Sequence, residues 1–423
     1  MIDYEFVKLN QLCSKITDGS HYSPVGIENG IPMLSVKDML DNRFSYDSCK
    51  FVSENDYEEL VKGDCKPLLN DVLIAKDGSY LKHVFVIREE IKQAVLSSIG
   101  MLRPNLARVN PSYLKYYLQT NSVKETVSKK YVSGSALPRI ILKNFGEIDI
   151  ISKPLKIQNK IAKVLSDLDA KIELNNKINS ELEGMAKLLY DYWFVQFDFP
   201  DANGKPYKSS GGAMVYNEQL KREIPEGWEV KELKDYANIT TGKLDSNAEV
   251  ENGKYYFYTC AATPTRTNTY AFDDDVILIA GNNAKGNFHV NRYSGKFDAY
   301  QRTYVLTAKE SIHLNYLFRV VAYQMKVLKS QGKGSQTKFL TLGMISDIPV
   351  FQPKTDLMSY FDEIINPLYE KQTIIQRENQ KLSELRDWLL PMLMNGQVTV
   401  GEAKEYVQAG GLGMAAEEGG KYG

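Results

Sequence analysis

Short apolar runs bounded by polar loops recur in two separate parts of the chain. The run DVLIA at 71–75 returns as DVILIA at 275–280, and both are typical of buried β-strands. Each run leads into a polar, Gly-containing loop that also carries basic residues, KDGSYLKH at 76–83 and GNNAKGNFH at 281–289. The pattern therefore predicts two strands that enter equivalent loops of two related domains.

A helix pattern and a second shared phrase follow each of these loops. VNPSYLKYYLQT places Asn110 as an N-cap and Pro111 at the first helical position, and SIHLNYLFRVVAYQMKVL at 311–328 carries the same aromatic and aliphatic stripe. The phrase GSALPRIIL at 134–142 then returns as GSQTKFLTL at 334–342. The common order of strands, basic loop, helix, basic loop and strand predicts a mixed α/β domain that is written twice.

Two long helical patterns close the two copies in the same heptad register. Position a falls on Ile161, Leu168, Asn175, Leu182 and Leu189 in the first copy and on Phe361, Leu368, Ile375, Leu382 and Leu389 in the second. Position d falls on Val164, Lys171, Ile178, Met185 and Tyr192, and on Ile364, Lys371, Glu378, Leu385 and Met392. Each helix would expose an apolar stripe if it stood alone, so we expect the two helices to pair.

The helix starts and the mode of pairing follow from the same pattern. Ser166 and Asn366 are candidate N-caps, with Pro367 at the first helical position, and the first helix is expected to run from about 167 to about 195. If the helices pair antiparallel, one α/β domain lies at each end, and polar side chains in the central layers disfavour slipped registers. The alternative is two separate helices, each packed on its own domain.

The sequence thus predicts an α+β protein with two pseudo-repeated α/β domains joined by two long antiparallel coiled-coil helices. The predicted segments are a first α/β domain at 1–153, a first long helix at 154–196, a linker at 197–227, a second α/β domain at 228–352, a second long helix at 353–396, and a loosely held tail at 397–423. The tail is assigned from its Gly-rich composition and the linker from its Gly, Pro, Ser and charged residues.

Charge is unevenly distributed, although the 423-residue chain has a net charge of only −1. Residues 76–143 include twelve Lys and Arg against four Asp and Glu, and residues 278–346 include ten against two. Two basic blocks in a neutral chain indicate contact with a polyanion at two places. Solvated surfaces of uneven charge are the alternative interpretation.

Nothing in the sequence indicates a disulfide framework, a membrane span or a secretory signal. The four cysteines, Cys13, Cys49, Cys65 and Cys260, show no paired metal spacing, and no run of about 18 apolar residues occurs. The N-terminal MIDYEFVKLN is acidic and mixed. We expect a protein of the reducing cytoplasm with no membrane partner.

A search for catalytic motifs finds no convincing set. NPSY at 110–113 is a faint match to the N-P-P-Y loop of adenine methyltransferases, but no glycine-rich turn for S-adenosylmethionine precedes it. GKGS at 332–335 lacks the rest of a phosphate-binding loop. The four histidines, His21, His83, His289 and His313, are scattered without a neighbouring ligand set. We therefore expect a binding protein that has no catalytic residues, metal or cofactor of its own.

Side chains suited to phosphates and base edges are concentrated in the variable loops of both copies. Lys and Arg neutralise phosphates, and Asn, Gln, Ser and Arg can read the major groove. The candidate DNA-contacting residues are Ser20, His21, Lys76, Ser79, Tyr80, Lys82, Lys129, Lys130, Tyr131, Ser133, Ser135 and Arg139 in the first copy, and Lys243, Asn282, Asn283, Lys285, Asn287, Arg302, Lys333, Ser335, Gln336 and Lys338 in the second. The two sets differ while their scaffolds agree, so two different short DNA sequences are the expected targets.

The chain resembles the specificity subunits of type I restriction-modification systems from residue 1 to about 396. The resemblance is carried by the doubled domain, by SGSALPRIILKNFGEIDIISKPLKIQNKIAKVLSDLDAKIELNNKINSELEGMAKLLYDYWF at 133–194 with its counterpart at 333–396, and by DGSH at 18–21. It implies two target recognition domains that read a bipartite site on double-stranded DNA. It also implies methyltransferase (modification) and restriction/translocase partner subunits, to which S-adenosylmethionine, ATP and Mg would belong.

Two alternatives to this interpretation remain open from the sequence. The first is a self-contained DNA methyltransferase or nuclease, and the second is a structural adaptor that binds only protein. Methyl transfer by the chain without a partner would support the first, and a lack of DNA binding would support the second.

Overall fold

The computed structural model describes residues 5–77, 81–130, 132–133, 139–250, 253–283, 288–310, 313–331, 339–353 and 356–408. The chain divides into two compact units. Unit 1 comprises residues 1–175 and 376–423, and unit 2 comprises residues 176–375. Each unit therefore contains one α/β copy together with a part of both long helical segments.

Unit 1 builds its α/β part from short strands and helices. The strands are β1 (Phe6–Lys8), β2 (Cys13–Asp18), β3 (Ile31–Leu34), β4 (Lys50–Val52), β5 (Val72–Ala75), β6 (Val84–Val86), β7 (Ala94–Val95), β8 (Ile99–Pro104), β9 (Val132–Ser133), β10 (Arg139–Ile140) and β11 (Asp149–Ile151). The helices are α1 (Leu9–Leu12), α2 (Glu54–Lys62), α3 (Pro111–Leu118), α4 (Asn121–Lys130) and α5 (Leu142–Phe145). The larger sheets have the orders β2-β8-β5-β6 and β4-β3-β7, and the predicted strand at 71–75 is confirmed as the buried β5.

Unit 2 repeats this plan around a wider sheet. Its strands are β12 (Met214–Asn217), β13 (Arg222–Pro225), β14 (Glu229–Glu232), β15 (Ala237–Thr241), β16 (Tyr255–Tyr258), β17 (Thr265–Thr267), β18 (Phe272–Ala280), β19 (Val290–Ala299), β20 (Thr303–Ala308) and β21 (Pro349–Gln352). Its shorter helices are α7 (Leu233–Tyr236), α8 (Leu314–Gln331) and α9 (Leu342–Ser346). The main sheet has the order β15-β20-β18-β19-β16-β17, with the predicted strand at 275–280 inside β18.

The two copies agree down to individual hydrogen bonds. The amide of the first residue of α1 or α7 donates to the carbonyl of an isoleucine before β11 or β21, from Leu9 to Ile148 and from Leu233 to Ile348, at 2.9 Å in both cases. A buried tyrosine hydroxyl donates to a carbonyl of the same strand, from Tyr113 to Ile151 at 3.0 Å and from Tyr316 to Phe351 at 2.9 Å. The predicted repeat is therefore a structural repeat.

The long helices are α6 (Leu155–Tyr190), which continues as one π-helical stretch at Asp191–Val195, and α10 (Leu357–Asn395). In unit 1, Asp169 accepts a hydrogen bond from Arg386 at 3.0 Å, and the buried Asn175 donates to Glu378 at 2.8 Å. The order along one helix is thus reversed along the other. In unit 2, Gln372 donates to the carbonyl of Asn179 at 2.9 Å, and the rings of Tyr190 and Phe361 lie 6.3 Å apart. The predicted antiparallel pairing is confirmed within each unit.

The predicted helix starts are wrong. Ser166, Asn366 and Pro367 all lie inside α6 and α10, which begin at Leu155 and Leu357. The additional turns bury apolar side chains, Ile161 and Leu165 in α6 and Phe361 and Ile365 in α10, against the cores of the two units. Burial on this scale outweighs the loss of one backbone hydrogen bond at the internal proline.

The heptad register also drifts along the helices. Position a is buried at Ile161, Leu168 and Asn175, but Met185 at position d is 57 % exposed while its neighbour Ala186 is buried. In α10, Ile364 at position d is 38 % exposed. A straight α-helix has 3.6 residues per turn and rotates by about 20° per heptad relative to a 3.5-residue repeat, so the buried face moves to other positions.

The segment after the second long helix is not uniformly loose. Helix α11 (Val400–Gln408) buries Ala403 and Tyr406 in the core of unit 1, and the Tyr406 ring lies 5.0 Å from that of Trp388. The prediction of a loosely held tail is therefore wrong for residues 400–408. Residues 409–423 lie outside the described residues.

The predicted linker at 197–227 folds within unit 2. It contains the β12–β13 hairpin, and Phe197 and Phe199 are buried against Trp228, with ring centroids 5.6 and 5.1 Å away.

Across the described part of the chain, no helix is both long and apolar enough to cross a membrane.

Candidate nucleic-acid interface

In unit 1, the turn at residues 96–98 joins two of the predicted DNA-facing loops. The Ser97 amide donates to the Ser20 carbonyl at 2.9 Å, and the Lys76 amide donates to the Ser98 carbonyl at 3.0 Å. Ser20 belongs to the loop that contains DGSH, and Lys76 opens the loop at 76–83. Both loops are therefore held by one short turn between β7 and β8.

The third loop of unit 1 joins the second. The Ile140 amide donates to the Lys76 carbonyl at 3.1 Å, and Nε of Arg139 donates to Oδ1 of Asp77 at 3.0 Å. The described ends of all three predicted loops thus lie on one surface, which we call interface 1. The loops are more than 50 residues apart in pairs such as Arg139 and Asp77, so only the fold brings them together.

Unit 2 reproduces this arrangement around the turn at 300–302. The Gln301 amide donates to the Leu244 carbonyl at 2.9 Å, as Ser97 does to Ser20. The Gly281 amide donates to the Arg302 carbonyl at 2.9 Å, and the Leu340 amide donates to the Gly281 carbonyl at 2.8 Å. We call the surface formed by these loops interface 2.

One glycine in each interface is required by close backbone contact. A Cβ atom added at Gly19 would lie 2.1 Å from the carbonyl oxygen of Val95, and one added at Gly242 would lie 2.0 Å from that of Ala299. No side chain fits at these distances. The glycine of DGSH in the first copy and that of TGKL in the second therefore allow the first loop to pack on its turn.

Several candidate residues of unit 1 already have partners. Lys76 is buried and its ammonium group is paired with the Asp18 carboxylate, so its charge is balanced within the protein. Ser20 donates its hydroxyl to the carbonyl of Tyr22 at 2.6 Å. His21 is 74 % exposed, with Nε2 3.5 Å from Asp18, and Arg139 is 60 % exposed despite its contact with Asp77. Lys76 and Ser20 therefore hold the loops, while His21 and Arg139 remain accessible.

The remaining candidates divide by exposure. Lys82, Lys129, Lys130, Lys243 and Arg302 are exposed, and Asn282 and Asn283 are half-buried. Lys129 also lies 3.3 Å from Glu125 one turn earlier in α4. Outside the described residues lie Ser79, Tyr80, Tyr131, Ser135, Lys285, Asn287, Lys333, Ser335, Gln336 and Lys338, and the Ser133 side chain is likewise not described.

Sequence reasoning missed the turns that organise the interfaces. Ser97, Ser98, Tyr300 and Gln301 were not among the candidates, because neither turn contains glycine or a cluster of basic residues. Both turns connect two strands directly before the last long strand of the sheet, in AVLSSIGM and in DAYQRTYV. An alignment of the two copies at this strand would have found them.

The partly buried phenol of Tyr304 holds the third loop of interface 2. Tyr304 donates its hydroxyl to the Leu340 carbonyl at 3.0 Å. Burial raises the pKa of Tyr304, so the hydroxyl stays protonated and remains a donor at neutral pH.

Within the ranges that the structure describes, no group of three or more His, Cys, Asp or Glu side chains is arranged to hold a metal ion.

The two domains hold their loops with equivalent backbone hydrogen bonds but carry different side chains on them, which is the arrangement of a protein with two related binding domains. Comparison with known proteins identifies the family. The model for the type I restriction modification DNA specificity domain matches residues 1–184 and again residues 225–384. The chain therefore belongs to this family and carries the specificity domain twice. Proteins of this kind are specificity subunits, which supply DNA sequence recognition and are not themselves catalytic.

Individual relatives agree with this assignment. The chain is 33% identical to the type I restriction enzyme EcoDI specificity subunit of Escherichia coli over 180 residues, a match that spans 42% of this chain and 40% of the relative. It is 28% identical to the MjaIX specificity subunit of Methanocaldococcus jannaschii over 69% of both chains. The structure of a type I restriction-modification S subunit from M. genitalium shares the fold, with a TM-score of 0.51, 17% identity, and coverage of 93% of this chain and 96% of the other.

Proposed function

We propose that this chain reads a bipartite site on double-stranded DNA, one half with each interface. The observation that carries the proposal is that interfaces 1 and 2 hold their loops with equivalent backbone hydrogen bonds, while the side chains on these loops differ. In equivalent first loops, His21 follows Ser20 in unit 1, while Leu244 follows Lys243 in unit 2. A fixed frame with variable side chains is what two readers of different sequences require.

The accessible candidates are the proposed contact residues. Exposed Arg and Lys side chains, such as Arg139, Lys82, Lys243 and Arg302, are suited to phosphates and to guanine edges. Lys76 and Ser20 support the loops. The candidate residues outside the described ranges remain proposed contacts on the strength of their residue types and loop positions.

The partners follow from the family. We propose that the chain positions methyltransferase and restriction/translocase subunits, and that S-adenosylmethionine, ATP and Mg are bound by those subunits in the cytoplasm. The proposed recognition domains are residues 1–153 and 228–352, with residues 154–196 and 353–396 as the spacer helices between them. The helix pair would then set the distance between the two half-sites.

Selection from a pool of random DNA duplexes tests DNA reading directly. The full chain, alone and together with its modification subunit, is expected to enrich two short sequences separated by an unread spacer of fixed length. Binding should fall by about 10³- to 10⁵-fold between 50 and 200 mM salt if roughly six to ten phosphates are contacted. Failure of both samples to enrich any sequence would contradict the proposal.

A methyl-transfer assay separates the chain from a self-contained enzyme. We expect transfer from S-adenosylmethionine to the selected duplex only when the modification subunit is present. Transfer by the chain alone would favour a methyltransferase instead. Retention of the modification subunit without any DNA binding by the complex would favour a protein adaptor.

A further inference from the structure

Arg266 is a half-buried arginine on β17 that none of the proposed contacts includes. Its guanidinium carbon lies 4.0 Å from the centroid of the Tyr256 ring on the neighbouring strand β16. Among the residues that the structure describes, no carboxylate lies within 4.0 Å of this guanidinium. The group therefore lies against an aromatic ring, and none of the described carboxylates balances its charge.

The equivalent position in unit 1 carries an apolar residue. Strands β3 and β4 pair antiparallel, as β16 and β17 do, and the first strand of each pair also pairs in parallel, with β7 in unit 1 and with β19 in unit 2. The Ile27 amide donates to the Phe51 carbonyl at 3.0 Å, just as the Val250 amide donates to the Arg266 carbonyl at 2.9 Å. Phe51 packs against the core of unit 1. The fold therefore accepts a hydrophobic residue here, and the scaffold itself does not require arginine.

Arg266 lies close to interface 2. Tyr256 and Tyr258 point to the same side of β16, with ring centroids 6.2 Å apart. The Tyr258 carbonyl accepts hydrogen bonds from the Tyr300 amide at 2.9 Å and from the Thr303 hydroxyl at 3.1 Å, which places it on the turn of interface 2. Two residues along a strand span about 7 Å, so Tyr256 and its arginine border this turn.

The loop between β16 and β17 connects the same elements. Cys260 contacts the carbonyl of Arg302 through Sγ at 3.6 Å, and the loop at 259–264 consists of small residues with Ala261, Ala262 and Thr263 exposed. Small side chains allow a DNA groove to approach the strand end closely. The loop that precedes β17 therefore reaches Arg302 of interface 2 through Cys260, and Arg266 on β17 is itself partly exposed.

We propose that Arg266 is a specificity-determining DNA contact of interface 2 that has no counterpart in interface 1. A guanidinium whose carbon lies 4.0 Å from the centre of the Tyr256 ring is restrained by that ring, and its planar fork of donors matches O6 and N7 of a guanine in the major groove. The inference rests on the proposed reading of DNA by interface 2. It adds one base pair to the half-site read by unit 2.

The test compares three variants of the full chain, in complex with the modification subunit, on the duplex that the wild-type complex selects from a random pool. Arg266→Met keeps the stem on Tyr256 without the charge, and Arg266→Lys keeps the charge without the fork. Lys254→Met is the matched control, because Lys254 is an exposed cation 5.3 Å from the ring of Tyr255, whose side chain points to the opposite side of β16. A chain in which residues 228–352 are replaced by those of another family member identifies the half-site of unit 2, because only that half of the selected sequence should change.

Arg266→Met should weaken binding by roughly 10- to 100-fold and should remove the preference for one base pair in the half-site of unit 2. Arg266→Lys should lose the same base preference while it keeps the wild-type salt dependence, and Lys254→Met should match the wild type in both measurements. If Arg266→Met binds and selects as the wild type does, the inference is wrong while the proposed function stands. An equal loss at both half-sites would show that Arg266 supports the fold, which also contradicts the inference. A wild-type complex that selects no sequence overturns the proposed function and this inference with it.

Discussion

In each unit, a helix of the α/β domain packs against the long helices around a buried charged group, and the charge of this group is negative in unit 1 and positive in unit 2. In unit 1 the centre of the contact between α3 and the long helices is a carboxylate. Asp169 of α6 accepts hydrogen bonds from Lys115 at 2.8 Å, from the Tyr116 hydroxyl at 2.6 Å and from Arg386 of α10 at 3.0 Å. Three donors from two other helices thus converge on one buried acceptor.

In unit 2 the centre of the corresponding contact is a guanidinium. Arg319 of α8 is buried and donates to both carboxylate oxygens of Glu183 in α6 at 2.5 and 2.6 Å. It also donates to the hydroxyl of Tyr369, which occupies in α10 the position that Asp169 occupies in α6. The buried group at the centre is thus a hydrogen-bond acceptor, Asp169, in unit 1 and a hydrogen-bond donor, Arg319, in unit 2.

The difference shows that this site requires a balanced set of buried charges and does not require particular residues. Burial acts to raise the pKa of Asp169, but Lys115, Tyr116 and Arg386 outweigh burial and hold that pKa below its ordinary value. Burial lowers the pKa of Lys115, although Asp169 opposes the shift. The two clusters differ in one respect that matters for stability. The partners of Asp169 are mostly buried, whereas the Glu183 side chain is 46 % exposed.

The largest effect is expected from removing the acceptor in unit 1. Asp169→Ala leaves Lys115, which is only 6 % exposed, and Arg386 without their shared carboxylate. An uncompensated buried charge costs about 3–5 kcal/mol of stability, which chemical unfolding will measure. Asp167→Ala on the same helix is the control, because its pair with Lys163 is exposed and should contribute less than about 1 kcal/mol. Equal costs for the two variants would refute the assignment of Asp169 as the centre of the cluster.

A smaller loss is expected from removing the donor in unit 2. In Arg319→Met the alkyl stem still fills the buried site, and Glu183, being half exposed, regains water when its partner is lost. We expect a loss of about 1–3 kcal/mol in the free energy of unfolding. Lys326→Met, at an exposed position of the same helix, should have no measurable effect. If Arg319→Met costs as much as Asp169→Ala, exposure of the remaining partner does not explain the difference between the units.

The two units should also respond to pH with opposite sign. Asp362 in unit 2 is buried, accepts a hydrogen bond from the Tyr316 amide at 3.1 Å and faces Arg292, and desolvation raises its pKa to about 7. Its unfolded pKa is about 3.9, so its contribution to stability decreases as the pH rises from about 4 to about 7. The low pKa of Asp169 has the reverse consequence, because its contribution is lost as the pH falls below the unfolded value.

Asp362→Asn isolates the effect in unit 2. The amide oxygen can still accept from Tyr316, but no charge has to be buried. The variant should be more stable than the wild type, and the gain should grow by roughly 1–3 kcal/mol between pH 5 and pH 8. Glu363→Gln, at an exposed neighbouring position, should show no such growth. A gain that is independent of pH would show that Asp362 is already ionised in the fold at pH 5.

Elements whose signal lies in adjacent residues were predictable from the sequence. Asn110 caps α3 as expected, since its side chain accepts from the amides of Ser112 and Tyr113. The strand at 71–75 and the pairing of the long helices follow from apolar runs and periodicity. The doubled α/β domain follows from the shared order of apolar runs, loops and helix patterns, and the family resemblance added the expectation of DNA recognition and partner subunits.

Contacts that join distant segments were not predictable from local patterns. Lys76 and Asp18 are 58 residues apart, so the basic residue of an apparent DNA-facing loop gave no sign of its buried partner. Helix α11 was hidden by a Gly-rich composition, because its apolar residues Ala403 and Tyr406 are few and matter only beside Trp388. Both contacts depend on a tertiary partner that a single local window does not contain.

The smallest effect on stability is expected at the surface of interface 1, where the same change should be visible in DNA binding. Arg139 and Asp77 form an exposed ion pair, so Arg139→Ala should change the free energy of unfolding by less than about 1 kcal/mol. If Arg139 contacts a phosphate, the variant should bind the selected duplex more weakly, and the slope of log K against log salt should become shallower by about one. Lys163→Ala, which removes an exposed cation of α6 that is also paired, should leave that slope unchanged. A wild-type slope in Arg139→Ala would assign this arginine to the support of Asp77 and the second loop, as Lys76 supports the first loop through Asp18.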